Sequence, residues 1–161
     1  MLNEAAGCDL GAFSALLNGE PAMDTQKPFR VYFVDDDHDT ADSLIFLFKL
    51  WGFDDCRAFY SAEEAWRTAC ACHPSAMLID IAMPGMDGLR LAMSIRQNPE
   101  LKDILLVALT GYADAEHRRL AMQAGYDVFL IKPTDLDELK ELLSKAREKR
   151  AGYSFPWSPG R

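Results

Sequence analysis

At 161 residues, 49% hydrophobic and 26% charged, the chain has the length and balance of one globular domain with a sizeable core, which excludes a fibre and wholesale disorder. A formal net charge of −8 argues against a nucleic-acid partner, because phosphate binding needs clustered Lys and Arg. The longest apolar stretch, Leu44 to Phe53, is interrupted by Lys49 and falls far short of the ~20 residues that span a bilayer, so the chain reads as soluble, with no membrane partner.

Residues 1–28 read as an extension punctuated by Gly7, Gly11, Gly19, Pro21 and Pro28, within which Leu10, Phe13, Leu16 and Leu17 fall near one helical face. No basic flank precedes an apolar core there, so it is not a secretory signal. The cysteines, Cys8, Cys56, Cys70 and Cys72, lack a paired Cys-x-x-Cys spacing and read as reduced thiols of a cytoplasmic protein.

From Phe29 a regular alternation begins. Its first members are a strand over 30–35, a helix over about 39–51 stopped by Gly52, a strand over about 54–59 and a helix over about 62–72 opened by the capping box Ser61-Ala-Glu-Glu64. Asp37, His38 and Asp39 read as solvated residues capping the first helix. That helix is apolar nearly all round: Leu44, Ile45 and Phe48 can face a sheet while Phe46, Leu47 and Leu50 project elsewhere, and an exposed apolar patch marks an interface. The alternation continues with a strand over 76–80, a helix over 87–97, a strand over 104–109, a helix over 113–124 ended by Gly125, a strand over 127–131 and a helix over 135–149 begun at Thr134-Asp-Leu-Asp137. Lys145, Arg147, Lys149 and Arg150 at its end suit the helix dipole. The eleven residues 151–161 form a C-terminal tail too short for a DNA-binding or enzymatic output module.

Strands alternating with helices of this length predict βαβ units and a parallel sheet. Right-handed crossovers in a five-stranded sheet predict the flavodoxin-like order 2-1-3-4-5, a (βα)5 three-layer sandwich whose switch point lies between the first and third strands. The apolar runs of these strands end in polar groups: Val31 to Val34 reaches Asp35 and Asp36, Met77 to Ile79 reaches Asp80, Leu105 to Leu109 reaches Thr110 and Gly111, and Val128 to Ile131 reaches Lys132. Carboxylates, a hydroxyl and an ammonium thus gather at the switch point. Three clustered carboxylates are unfavourable unless a cation neutralises them, which predicts a hard divalent metal, naturally Mg²⁺.

Asp35-Asp36, Asp80 with Met83-Pro84-x-Met86-Asp87-Gly88, Thr110-Gly111 and Lys132-Pro133 closely resemble, in type and interval, the receiver domain of two-component response regulators over residues 29–150. The resemblance implies that Asp36, Asp80 and the backbone carbonyl of Ala82 ligate Mg²⁺ directly and that Asp35 acts through water. It implies that Asp80 is the phosphorylated nucleophile, forming an acyl phosphate. Lys132 would supply charge, and the Thr110 hydroxyl with the amides of Ala82 and Gly111 would bind the phosphoryl oxygens. A cis Lys132-Pro133 bond would fix the loop. Thr110 and Phe129 would form the switch, changing the face made by helix 113–124, strand 127–131 and helix 135–149 for a downstream protein target.

The resemblance makes the chain a signalling phosphoacceptor and not an enzyme turning over a separate substrate, with a histidine kinase or histidine phosphotransferase docking on helix 39–51. The extension or a second copy of the chain, giving a homodimer, is the alternative occupant of that helix. Ala82 and Tyr112 stand two residues after Asp80 and Thr110, where they would tune phosphoryl lifetime: Ala82 cannot position water and Tyr112 can obstruct it. The rival readings are a receiver-like interaction module that carries no phosphate and an aspartate-nucleophile phosphatase. The latter is weakened because Asp39 stands where the signature beginning Asp35-x-Asp37 needs Thr or Val.

Overall fold

The computed structural model describes residues 28–83 and 87–151. The expected amphipathic segment of the extension, residues 84–86 of the motif after Asp80 and residues 152–161 of the tail lie outside these residues.

Five strands alternate with five helices: β1 (Val31–Val34), α1 (His38–Leu50), β2 (Cys56–Phe59), α2 (Ala62–Cys72), β3 (Ala76–Asp80), α3 (Gly88–Gln97), β4 (Leu105–Thr110), α4 (Ala115–Ala124), β5 (Val128–Ile131) and α5 (Leu136–Arg150). All neighbouring strands pair in parallel, in the order β2-β1-β3-β4-β5. The predicted topology and three layers are observed. Side chains alternate across each strand, so Tyr32, Val34, Met77 and Ile79 pack under α2, α3 and α4, while Val31, Phe33, Ala76 and Leu78 pack under α1 and α5. Both faces of the central strands are buried, which is why they read as unbroken apolar runs.

The helix starts follow local capping chemistry. Asp37 caps α1 by accepting from the Thr40 N–H at 2.9 Å, and Ser61 caps α2 by accepting from Glu64 at 3.3 Å. Helix α4 begins two residues later than predicted because Asp114 caps it, accepting from the His117 N–H at 3.0 Å. The last helix is capped by Asp135, whose carboxylate accepts from both Asp137 and Glu138. Gly125 ends α4 with φ +103°, a conformation that favours glycine.

On α1, Phe48 and Ala41 are buried and Leu44 and Ile45 pack against the same core, whereas Phe46 and Leu50 are 65% and 67% exposed. The basic end of α5 is anchored within the fold: Arg147 lies over the Phe53 ring and donates to the Gly52 carbonyl at 3.0 Å, and Arg150 donates to Ser75.

Cys56 and Cys70 are free thiols. Cys72, expected to be reduced, is disulfide-bonded. Disulfide pairing follows separation in the fold and not spacing along the chain, so the sequence pattern could not reveal it, and thiol usage does not argue for a reducing compartment. Among the described residues no helix is long and apolar enough to cross a membrane.

Candidate functional site

The sheet register assembles the site. Val34 lies opposite Ile79, so the next residues, Asp35 and Asp80, leave the sheet side by side at the switch point. Asp80 lies opposite Leu109, and Thr110 opposite Ile131, which brings the Thr110 hydroxyl and Lys132 to the same edge. Asp35, Asp36 and Asp80 each offer a carboxylate oxygen within 4.8 Å of the others. Asp35 is 1% and Asp80 9% exposed, while Asp36 faces solvent.

Lys132 Nζ donates to Asp35 Oδ2 at 2.6 Å and to Asp80 Oδ2 at 3.1 Å. The second oxygens accept backbone N–H groups, Asp35 Oδ1 from Asp37 at 2.9 Å and Asp80 Oδ1 from Ala82 at 3.1 Å. Partial burial by itself would lower the Lys132 pKa. Hydrogen bonds to the two carboxylates, with their charge, outweigh it and raise the pKa above the ordinary lysine range. The side chain is therefore an ammonium at neutral pH. Three carboxylates facing one ammonium leave two negative charges and only hard oxygen donors, a set that fits a divalent cation such as Mg²⁺. Reading the sequence missed the direct Lys132–Asp35 pair, because it assigned Asp35 only to water-mediated metal contact.

Thr110 is fully buried, and its Oγ1 accepts from the Tyr112 N–H at 3.1 Å. It closes a local turn, whereas the cap of α4 is Asp114. The Gly111 backbone is open, with no heavy atom within 4 Å of where a Cβ would stand, and Ala82 is exposed. Phe129 is half-buried against the core under α2, α3 and α4. The Lys132-Pro133 peptide bond is cis. Tyr112, 49% exposed, stacks on His117 with ring centroids 4.5 Å apart and planes 10° apart. His117 Nδ1 in turn lies 2.6 Å from Asp114 Oδ2.

Two supports had no sequence signal. Arg96 on α3 donates through Nε to the Gly125 carbonyl at 2.8 Å and through its guanidinium to Lys102 and Ile104 carbonyls and to Asp127 Oδ2 at 2.7 Å. The Tyr126 hydroxyl donates to the Gly88 carbonyl at 2.7 Å. Gly88 itself has no room for a side chain, since a Cβ would stand 2.6 Å from the Asp80 carbonyl oxygen and 2.8 Å from Ile81 Cα. What the site can do chemically is present one nearly buried carboxylate, Asp80, beside an ammonium and a cation-binding set, with a hydroxyl and open backbone nearby.

A family model described as the response regulator receiver domain matches residues 31–144. An uncharacterized 14.6 kDa protein in the sodA1 3′ region of Leptolyngbya boryana is 35% identical over 76% of this chain and 93% of its own length. The C4-dicarboxylate transport transcriptional regulatory protein DctD of Rhizobium meliloti is 36% identical over 74% of this chain, which spans 25% of that protein. Among solved structures, a response regulator receiver protein from Pseudomonas putida is 32% identical with a TM-score of 0.65, covering 71% of this chain and 94% of that one.

Proposed function

Because this chain belongs to the response regulator receiver family, we propose that it accepts a phosphoryl group on Asp80 from a phosphohistidine of a histidine kinase or histidine phosphotransferase, in a Mg²⁺-dependent reaction, and signals or relays through protein contacts. The observation that carries this reading is the convergence of Asp35, Asp36, Asp80 and Lys132 at one sheet edge.

Asp35, Asp36, Asp80 and the Ala82 carbonyl are the groups to hold Mg²⁺. When bound, the cation supplies charge neutralisation for the incoming phosphoryl group. The Asp80 carboxylate oxygen forms the new bond to phosphorus as the phosphorus–nitrogen bond breaks and its electron pair stays on the donor imidazole. Phosphoryl transfer passes through a loose transition state, so placing groups matters more than moving protons. Lys132 offers fixed positive charge next to Asp80, and Thr110, Ala82 and Gly111 offer a hydroxyl and two amides to the phosphoryl oxygens. Inward movement of Thr110 onto the phosphoryl group would open space for Phe129 to rotate and would bias the α4–β5–α5 face between two states.

The relative from Leptolyngbya boryana, whose length this chain nearly spans, supports a receiver that works as a single-domain regulator. The exposed Phe46 and Leu50 on α1 support that helix as the docking face for the phosphodonor.

Incubation with phosphoramidate, with and without Mg²⁺, tests the proposal by intact-mass analysis. One phosphoryl group is expected per chain, only with Mg²⁺. No incorporation under either condition would favour an interaction module that works without phosphate.

A further inference from the structure

We infer that Tyr126 is a positioning residue for the phosphoacceptor site: its hydroxyl holds the first turn of α3, and with it the return end of the loop carrying Ala82, against the end of β3. The inference rests on the reading of Asp80 as a phosphoacceptor with a cation beside it.

Tyr126 lies just after Gly125, in the turn joining α4 to β5, and is 2% exposed. Burying a hydroxyl is costly unless it finds a partner. Here it crosses 38 residues of sequence to donate to the Gly88 carbonyl at 2.7 Å. Gly88 is the first residue of α3, and its N–H donates to the Ile81 carbonyl at 3.2 Å. Its α-carbon sits so close to the end of β3 that a methyl group there would collide with the Asp80 and Ile81 backbone. The contact chain runs from Tyr126 through Gly88 to the carbonyl of Asp80 and the backbone of Ile81, and Ala82, whose N–H is bonded to Asp80 Oδ1 at 3.1 Å, follows directly.

The other end of the clamp is equally fixed. The Tyr126 N–H donates to Ala121 at 3.2 Å, the Asp127 N–H to Leu106 at 2.9 Å, and Arg96 grips the Gly125 carbonyl at 2.8 Å. Burial raises the phenol pKa, and the charges of Asp87 and Asp80 raise it further, so the hydroxyl remains a donor at every working pH. A core tyrosine serving packing alone would need only its ring. Tyr126 spends its hydroxyl on the first residue of α3, which packs on the strand end that carries Asp80, and it ties that residue to the turn leading into β5, the strand that holds Phe129 and runs into Lys132.

Tyr126→Phe keeps the ring and removes only the clamp. It is compared with wild type and with Leu143→Ala, which cuts the core on the opposite sheet face. Amide exchange of Gly88 and a calorimetric Mg²⁺ titration are measured on each unphosphorylated protein. For Tyr126→Phe the expectation is faster Gly88 exchange and a Mg²⁺ Kd weakened about fivefold, the effect of one lost hydrogen bond. Leu143→Ala should be destabilised with an unchanged Kd. Wild-type exchange and Kd in Tyr126→Phe, or an equal Kd change in Leu143→Ala, would overturn the inference while leaving the phosphoacceptor reading intact. A wild-type protein that binds no Mg²⁺ would overturn both.

Discussion

The Lys132 ammonium lies 2.6 Å from a carboxylate oxygen of Asp35, 97 residues earlier in the chain, and this pair joins the loop after β5 to the end of β1. Since Lys132 also reaches Asp80 at 3.1 Å, one cation holds the nucleophile and its neighbour at a fixed separation. The two residual negative charges are what a divalent ion would meet.

Replacing that ammonium separates charge neutralisation from cation binding. Lys132→Met should retain Mg²⁺ binding, because all three carboxylates remain, while phosphoramidate labelling slows by roughly 100-fold, the usual effect of removing one preorganised electrostatic group. Labelling rate and calorimetric Mg²⁺ affinity, measured side by side, check this. Loss of both together would mean that Lys132 serves only to hold the carboxylates in place.

The pH dependence follows from the same pair. The Lys132 pKa is raised in the folded protein against the pull of partial burial by its bonds to Asp35 and Asp80. A raised pKa stabilises fully below the unfolded lysine value of about 10.4 and is lost only as pH climbs through the higher folded value. Urea melts should therefore show a stability difference between wild type and Lys132→Met that is constant from neutral to mildly alkaline pH and shrinks only in strongly alkaline buffer. A difference that shrinks near neutrality would contradict the assignment.

Gly88→Ala introduces a methyl group 2.6 Å from the Asp80 carbonyl oxygen and 2.8 Å from Ile81 Cα. Both neighbours are backbone and have nowhere to go. The substitution should cost roughly 1–3 kcal/mol of stability and slow labelling of Asp80, read by thermal melts and intact mass. Unchanged melting and labelling would show that the end of β3 is looser than the contacts imply.

Phosphoryl lifetime should depend on Ala82 and Tyr112. Ala82 presents no group to orient water, and Tyr112, bonded through its N–H to Thr110 Oγ1, has its ring stacked on His117 at 4.5 Å. Ala82→Asn and Tyr112→Ala are each expected to accelerate loss of the phosphoryl group, followed by mass after removal of the donor. Rates equal to wild type in both would remove these residues from control of lifetime.

The strand-end groups were legible in the sequence because Asp35, Asp80, Thr110 and Lys132 each terminate a short apolar run, and parallel strands deliver such ends to one edge. The start of α4 was less so: Ala113 suits a helix as well as a loop does, and only the bond from the His117 N–H to the Asp114 side chain fixes the boundary. Arg96 and Tyr126 were illegible for a different reason. Their acceptors are mainly carbonyls of distant residues, and a carbonyl has no sequence signature. Cys72 was misread because its pairing is a matter of position in the fold. The exposed side of α1 was readable as excess apolar residues, since Phe46 and Leu50 do not fit the stripe that buries Phe48.

The central claim is that Asp80 becomes phosphorylated, and the most direct measurement is Mg²⁺-dependent phosphoramidate labelling of wild type beside Asp80→Asn, with the modified residue located by peptide mass analysis. The account predicts a single phosphoryl group on Asp80 in wild type and none in Asp80→Asn. Equal labelling of the two proteins, or a modified residue elsewhere in the chain, would contradict it.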